Sequence, residues 1–366
     1  MPRGGAVQFS NPRRGFEPGR VFGPDLARGI ALLGMFAAHV VFDRTENFYD
    51  GRSSILFATI AGVSLGLVTG GSHPGPRARR GALRGGVALR ALALIVIGVF
   101  LTFVLRPPLA VILDYYGFAF LLLVPLLFAI RPVLALVMTA VVAVMPALVQ
   151  WLREETDPTQ LSVVVQPFAQ WLVYGVYPMA IWVAFPLAGL LCARSDLNRR
   201  RTQLFMIGGG VLAALVGYGS AVLVPGLTAE AHSGTVAEVI GSGGVAIAII
   251  GAATVVGSIS GRAGRGIRFV LYPVAAAGGM ALSLYTAQAI GLTIVRNTVR
   301  HGDQAWFYPD AVLPVLIASA LVVGTLWRLV LGSGPLERLL KLISGLAAPR
   351  TEDVEPDTSR PGASKV

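Results

Sequence analysis

The chain has 366 residues, of which 54% are hydrophobic and only 13% charged, with a formal net charge of +11 and a mean hydropathy of +0.69. So little charge cannot cover the surface of a soluble domain, and the apolar residues come in long blocks, which predicts membrane spans rather than one large soluble core. The single cysteine, Cys192, excludes an internal disulfide and reads as a buried, inert thiol at a helix end.

Residues 1–20 are polar and rich in Pro, Gly and Arg, which predicts a disordered tail and not a cleavable signal peptide. Apolar runs then follow at 25–42, 53–70, 86–105, 109–130, 133–152, 171–193, 204–224, 236–257, 269–295 and 312–331. Each approaches the roughly 20 residues that carry a helix across about 30 Å of hydrocarbon. The run at 269–295 is long enough to tilt or to break near Gly278 and Gly279. Residues 347–366 read as a second disordered tail. The expected fold is an all-α polytopic membrane bundle of about ten transmembrane helices, one domain over 21–346 with a tail at either end. Gly62 and Gly66, and the run Gly208 to Gly210, suit close helix packing. As oligomerisation motifs they are weak, and a homo-oligomer stays open.

Basic residues between the runs alternate. Counting the two sides gives sixteen against six: Arg3, Arg13, Arg14, Arg20, Arg77, Arg79, Arg80, Arg84, Arg131, Arg194, Arg199, Arg200, Arg201, Arg262, Arg265 and Arg268 on one, and Arg44, Arg52, Arg106, Arg153, Arg296 and Arg300 on the other. The positive-inside rule then puts the N-terminus in the cytoplasm, and ten spans return the C-terminus there. The net charge thus follows topology and contact with anionic membrane lipids, and nucleic acid is not an expected partner. Arginine-rich, lysine-poor composition with heavy use of Ala, Gly and Val suggests a GC-rich bacterial genome, and the expected location is a bacterial plasma (inner) membrane.

Ionisable groups inside spans are costly, so each is a candidate site residue. Asp25 and Arg28 open the first run and His39 comes late in it. Eleven residues separate Arg28 from His39, about three turns, so they share a face some 16 Å apart along the axis. Asp25 also suits a first-turn acid, Arg28 a side chain snorkelling to headgroups, and His39 a packing histidine. Asp114 lies in the fourth run at a depth matching that of His39, so the two could pair, or Asp114 could bond Tyr115, Tyr116 or backbone. Tyr285 and Gln288 are three apart in the ninth run and can share a face. Tyr115, Tyr116, Trp171, Tyr174 and Tyr177 suit an aromatic interface belt, and His73, His232 and His301 read as solvated loop residues. No Cys/His cluster, HExxH, Walker loop or GxSxG is present, so no metal is expected and nucleotide hydrolysis and serine-hydrolase chemistry lack a basis.

The stretch from Asp25 through Met35 to His39 resembles the opening helix of the transmembrane acyltransferases, which include the heparan-α-glucosaminide N-acetyltransferases and bacterial enzymes that modify surface sugars. The stretches Phe57 to Gly62, Ile112 to Gly117, Leu282 to Gln288, Gly334 to Glu337, and His232-Ser233-Gly234 followed by Gly241-Ser242 and Gly244 resemble a related bacterial membrane family of unknown function. The resemblance implies acyl transfer from a cytoplasmic acyl-CoA, acetyl-CoA above all, to a cell-envelope glycan or glycolipid. It places Arg28 near the donor's phosphates, makes His39 the base or acyl carrier and has Asp114 orient it. Asp25, Tyr115, Tyr116, Tyr285 and Gln288 would support them. The other class that fits is a transporter or lipid-binding membrane protein in which the same buried polar groups form a path.

Overall fold

The computed structural model describes residues 22–41, 47–298 and 308–347. Both expected tails fall outside these ranges except for Ala347, as do Asp43, Arg44, Glu46, Arg300, His301 and Asp303. The fold is all-α. In chain order the helices are α1 (Phe22–Val40), α2 (Arg52–Val68), α3 (Arg77–Phe100), α4 (Leu113–Leu123), α5 (Arg131–Glu155), α6 (Gln166–Ala169), α7 (Met179–Trp182), α8 (Ala184–Ala193), α9 (Arg200–Leu223), α10 (Val236–Ser258), α11 (Gly261–Val270), α12 (Tyr272–Gly278), α13 (Ala281–Thr298), α14 (Val312–Val330) and α15 (Pro335–Gly345). Helix α3 continues as a π-turn to Leu105, and α6 continues as another to Tyr174.

Helices α3, α5, α9, α10 and α14 are each long and apolar enough to cross a membrane, and two bent pairs raise the number to seven. One pair is Gln166–Tyr174 with Met179–Ala193, bent by 54°; the other is Tyr272–Gly278 with Ala281–Thr298, bent by 81°. The chain is a multi-pass membrane protein. Helix α2 and the segment Leu113–Leu126 are shorter apolar helices. Helix α1 carries three ionisable residues and sits inside the bundle, packed by α2, α10, α12 and α14.

The sharper bend lies at Gly278 and Gly279, where the long ninth run offered a break. The bend in the sixth run is a correction to a continuous span: Gly175 is extended and Pro178, also extended, starts a new helix. Helix α11 occupies a stretch read as a loop. Its Arg262, Arg265 and Arg268 alternate with Ile267, Phe269 and Val270, and Phe269 and Val270 are exposed, the pattern of a helix lying in a membrane interface.

Small residues set the helix crossings. A Cβ on Gly62 would meet the Pro186 carbonyl, one on Gly66 the Ala193 side chain, and one on Gly189 the Thr59 carbonyl, so the GxxxG spacing of α2 serves α8 of the same chain. Helices α9 and α10 make the most extensive contact, through Gly210 against Gly244 and Gly217 against Gly241. The opposite face of α9 leaves Phe205, Leu212 and Leu215 exposed, as lipid contact requires. Helix α1 meets α12 most closely. A Cβ on Gly29 would lie 2.0 Å from the Val274 carbonyl oxygen, and one on Gly278 would lie 2.0 Å from that of Asp25.

Candidate functional site

That crossing builds one end of the site. With α12 backbone against α1, Arg28 Nη1 donates to Asp25 Oδ1 at 3.0 Å and to the Gly278 carbonyl at 3.4 Å, while Nη2 donates to Ser64 Oγ on α2 at 2.6 Å. Asp25 is 8% exposed, and the Arg28 and Asp25 side chains form a salt bridge at 3.0 Å. Arg28 therefore does not snorkel freely. It ties α1 to α2 and to the carbonyl at the break. Beyond the break, Glu337 of α15 accepts from the Leu282 and Ser283 N–H groups at 2.8 and 3.1 Å and from Ser283 Oγ at 2.5 Å, capping the start of α13.

The other end is built around His39. Its Nδ1 lies 3.3 Å from Gln288 Oε1 on α13, and its ring meets Tyr285 edge-on at 6.2 Å. An Nδ1–H donating to Gln288 leaves the Nε2 lone pair as the basic nitrogen. Asp114 is elsewhere. Its Oδ2 accepts from Trp171 Nε1 at 2.9 Å, and its Oδ1 has no hydrogen-bond partner. The matched-depth pairing of His39 with Asp114 does not form; Gln288 takes the place expected of the aspartate. Depth along two helices agrees with the reading, but α1 turns this face toward α13, and α4 turns Asp114 toward the segment 170–174. Tyr285 neighbours His39, and its hydroxyl accepts from Ile112 N, two residues before Asp114, at 3.4 Å. On the shared face between Arg28 and His39 lie Leu32 and Met35, 0% and 2% exposed.

The aromatic belt is largely interior. Tyr116 and Tyr177 are each 4% exposed, and Tyr116 donates to the Ser54 carbonyl at 2.9 Å while stacking on Phe57. Tyr115 packs edge-on against Tyr177 at 5.4 Å, and Tyr177 against Trp182 at 4.8 Å. His232, read as solvated, stacks on Trp182 at 5.8 Å and meets Tyr177 at 5.3 Å. Its backbone is left-handed (φ 62), a cost offset where Glu238 Oε1 accepts from its N–H at 2.7 Å.

Three charged residues escaped the reading. Glu238, 1% exposed, also accepts from Gly234 N at 2.7 Å, while Thr235 Oγ1 accepts from Glu238 N at 3.1 Å. The Thr-x-x-Glu spacing of a capping box signals this in the sequence. Arg194, counted as a loop residue, is 5% exposed and donates to the carbonyls of Gly66, Gly71 and Leu127 and to Thr69 Oγ1. It closes the C-terminal end of α2. Arg90 is the sole ionisable residue between Arg84 and Arg106, a signal as plain as that of Asp114. At the His39 end of α2 an open pocket of about 510 Å³ is lined by Asn47, Phe48, Arg52, Tyr218 and Glu230 among others. Arg52 lies over the rings of Phe48 and Tyr218, and its Nε donates to the Tyr218 hydroxyl at 2.8 Å.

Residues 187–346 match a family described as "Protein of unknown function (DUF418)". The matched stretch holds Gln288, Tyr285, Gly278, Glu238 and Glu337; Arg28, His39, Arg90 and Asp114 precede it. A search of curated proteins finds no match to this chain. Among the described residues no cluster of three or more His, Cys, Asp or Glu side chains is placed to hold a metal ion.

Proposed function

We propose that this protein is a membrane-embedded acyltransferase that moves an acyl group, acetyl in the first instance, from cytoplasmic acyl-CoA to a cell-envelope glycan or glycolipid. The observation that carries the reading is the Nδ1 contact of His39 with Gln288, whose Nδ1–H tautomer leaves Nε2 to take a proton, on the helix whose other end holds Arg28. In the reaction, Nε2 accepts the proton of an acceptor hydroxyl or amine as its oxygen or nitrogen attacks the thioester carbonyl. The carbon–sulfur bond breaks, and the imidazolium returns the proton to the departing CoA thiolate. The pocket beside Arg52 suits a sugar acceptor, since Phe48 is 68% exposed and offers a ring face beside the planar polar groups of Asn47, Arg52 and Glu230.

The five long helices, the two bent pairs and α1, α2 and α4 together supply the ten spans of this reading. The loop charges support placing both termini on the cytoplasmic side of a bacterial inner membrane in this reading, with the Arg28 end facing the donor. The test is release of free CoA from acetyl-CoA by the purified protein with envelope extract, read by thiol trapping in a Cys192→Ser background. Release that disappears in His39→Ala is expected. No release with any acyl-CoA overturns the reading.

A second reading has its own support. Two spans bent by 54° and 81°, the second with an arginine against the break, are the kind of interruption that forms transporter substrate sites. Uptake of an organic anion into proteoliposomes without CoA release selects it.

A further inference from the structure

Arg90 lies on α3 inside an otherwise apolar run and is exposed, although Gly86 and Leu94, about one turn to either side on the same face, are buried. An exposed residue on the inward face of α3 borders a space between the helices. It has no hydrogen-bond or ion-pair partner among the described residues. Helix α15, which carries Glu337, packs along this stretch of α3, and Glu337 holds the start of α13 just past the break where Arg28 is bonded. Its immediate setting offers no relief. Gly86, one turn earlier, packs against the Ser344 carbonyl of α15, and Ala91 next to it is fully buried against Gly117 of α4.

The nearby carboxylates are already engaged. Asp25 is bonded to Arg28, and both oxygens of Glu337 are taken by the start of α13. An unpaired guanidinium within a membrane bundle is costly, and a second cation nearby raises the cost. A bound anion removes both penalties, and a guanidinium fork suits phosphate oxygens.

We infer that Arg90 and Arg28 form an anion site at the Arg28 end of the bundle that takes a phosphate- or pyrophosphate-bearing ligand. The inference deepens the acyl-transfer reading by naming a second residue for the donor's phosphates, but it stands on the two arginines and survives if no acyl group is transferred. Two sources carry this chemistry, a soluble CoA-type nucleotide and an anionic phospholipid headgroup.

The test uses the full chain in neutral detergent, titrated calorimetrically with CoA and with inorganic pyrophosphate, and in nanodiscs of phosphatidylcholine with and without phosphatidylglycerol, read by thermal stability. Wild type, Arg90→Gln, Arg90→Lys and Arg28→Gln are compared after each passes size exclusion as a monodisperse species. We expect Arg90→Gln to weaken at least one phosphate probe by roughly tenfold or more, with Arg90→Lys between it and wild type. Loss confined to CoA or pyrophosphate assigns a soluble ligand, and loss confined to phosphatidylglycerol stabilisation assigns a lipid. Pyrophosphate or lipid binding that depends on Arg90 without any CoA binding keeps the site and removes the acyl-CoA reading. CoA binding at wild-type affinity in a folded Arg90→Gln protein overturns the site and leaves that reading intact. Failure of every phosphate probe to bind wild type overturns the site outright.

Discussion

A neutral imidazole that donates Nδ1–H to an amide oxygen has its tautomer fixed without a buried negative charge beside it, and the 3.3 Å contact of His39 Nδ1 with Gln288 Oε1 suits that tautomer. Gln288→Leu removes the acceptor and is expected to lower the transfer rate about tenfold with donor affinity unchanged, less than the roughly 10²–10⁴-fold that a general base itself contributes. Initial-rate kinetics against acyl-CoA check it; a variant with the wild-type rate makes His39 a packing residue. Asp114 has the opposite expectation. Asp114→Asn removes a buried charge with one unpartnered oxygen and keeps an oxygen for Trp171. The melting temperature should hold or rise, and its effect on rate should add to that of Gln288→Leu instead of merging with it. Every member of this set was visible in the sequence, whereas the pairing was not. Residue spacing fixes height along an axis and which residues share a face, but the rotation of α1 about that axis is set by Gly29 of α1 packing against Val274 and Gly278 of α12, a contact between residues far apart in the chain. Arg90 needed no such knowledge, since a lone charge in an apolar run is readable directly.

The same glycine contact governs a whole element. A methyl at Gly278 would overlap the Asp25 carbonyl oxygen, so Gly278→Ala must push α12 away from α1. Overpacking of this kind costs about 1–3 kcal/mol. The expected result is a lower melting temperature together with weaker anion binding, because the Arg28 acceptor at that break moves. Arg194 holds a different element. Its guanidinium ties the Gly66 carbonyl of α2 to the Gly71 carbonyl just past the helix and to that of Leu127, and Arg194→Met leaves these oxygens buried without that donor. Hydrogen bonds from a charged donor contribute about 1.5–3 kcal/mol each, so a loss on the order of 3 kcal/mol is expected, with Arg194→Lys recovering part of it. Thermal unfolding followed by size exclusion distinguishes the three proteins. Of the elements themselves, the long apolar runs were legible because hydrocarbon thickness fixes their length. The bend after Gly175 was not read, although Gly175 and Pro178 lie within one turn. Helix α11 was missed because its arginines, counted only as topological charge, also alternate with apolar residues at helical spacing.

For the whole molecule, the side assignment is the most exposed expectation. Single cysteines at Arg79 and Arg200, both solvent-exposed, should resist an impermeant thiol reagent in intact cells, and one at Glu155 should react. The background is Cys192→Ser, and the opposite labelling pattern would reverse every assignment of side. Between the two polar ends, Leu32 and Met35 fill the face that Arg28 and His39 share; a donor's thioester arm must displace this apolar plug to reach His39, and in the resting protein the plug should act as an electrical insulator. Ions and protons admitted at one end meet a dry segment about two helical turns long before the other, so the resting protein should sustain a voltage without leak. Leu32→Ser combined with Met35→Ala removes that dielectric. Proteoliposomes carrying the double variant should dissipate an imposed proton gradient faster than wild type, as read by an internal pH dye, and equal decay would place the seal elsewhere.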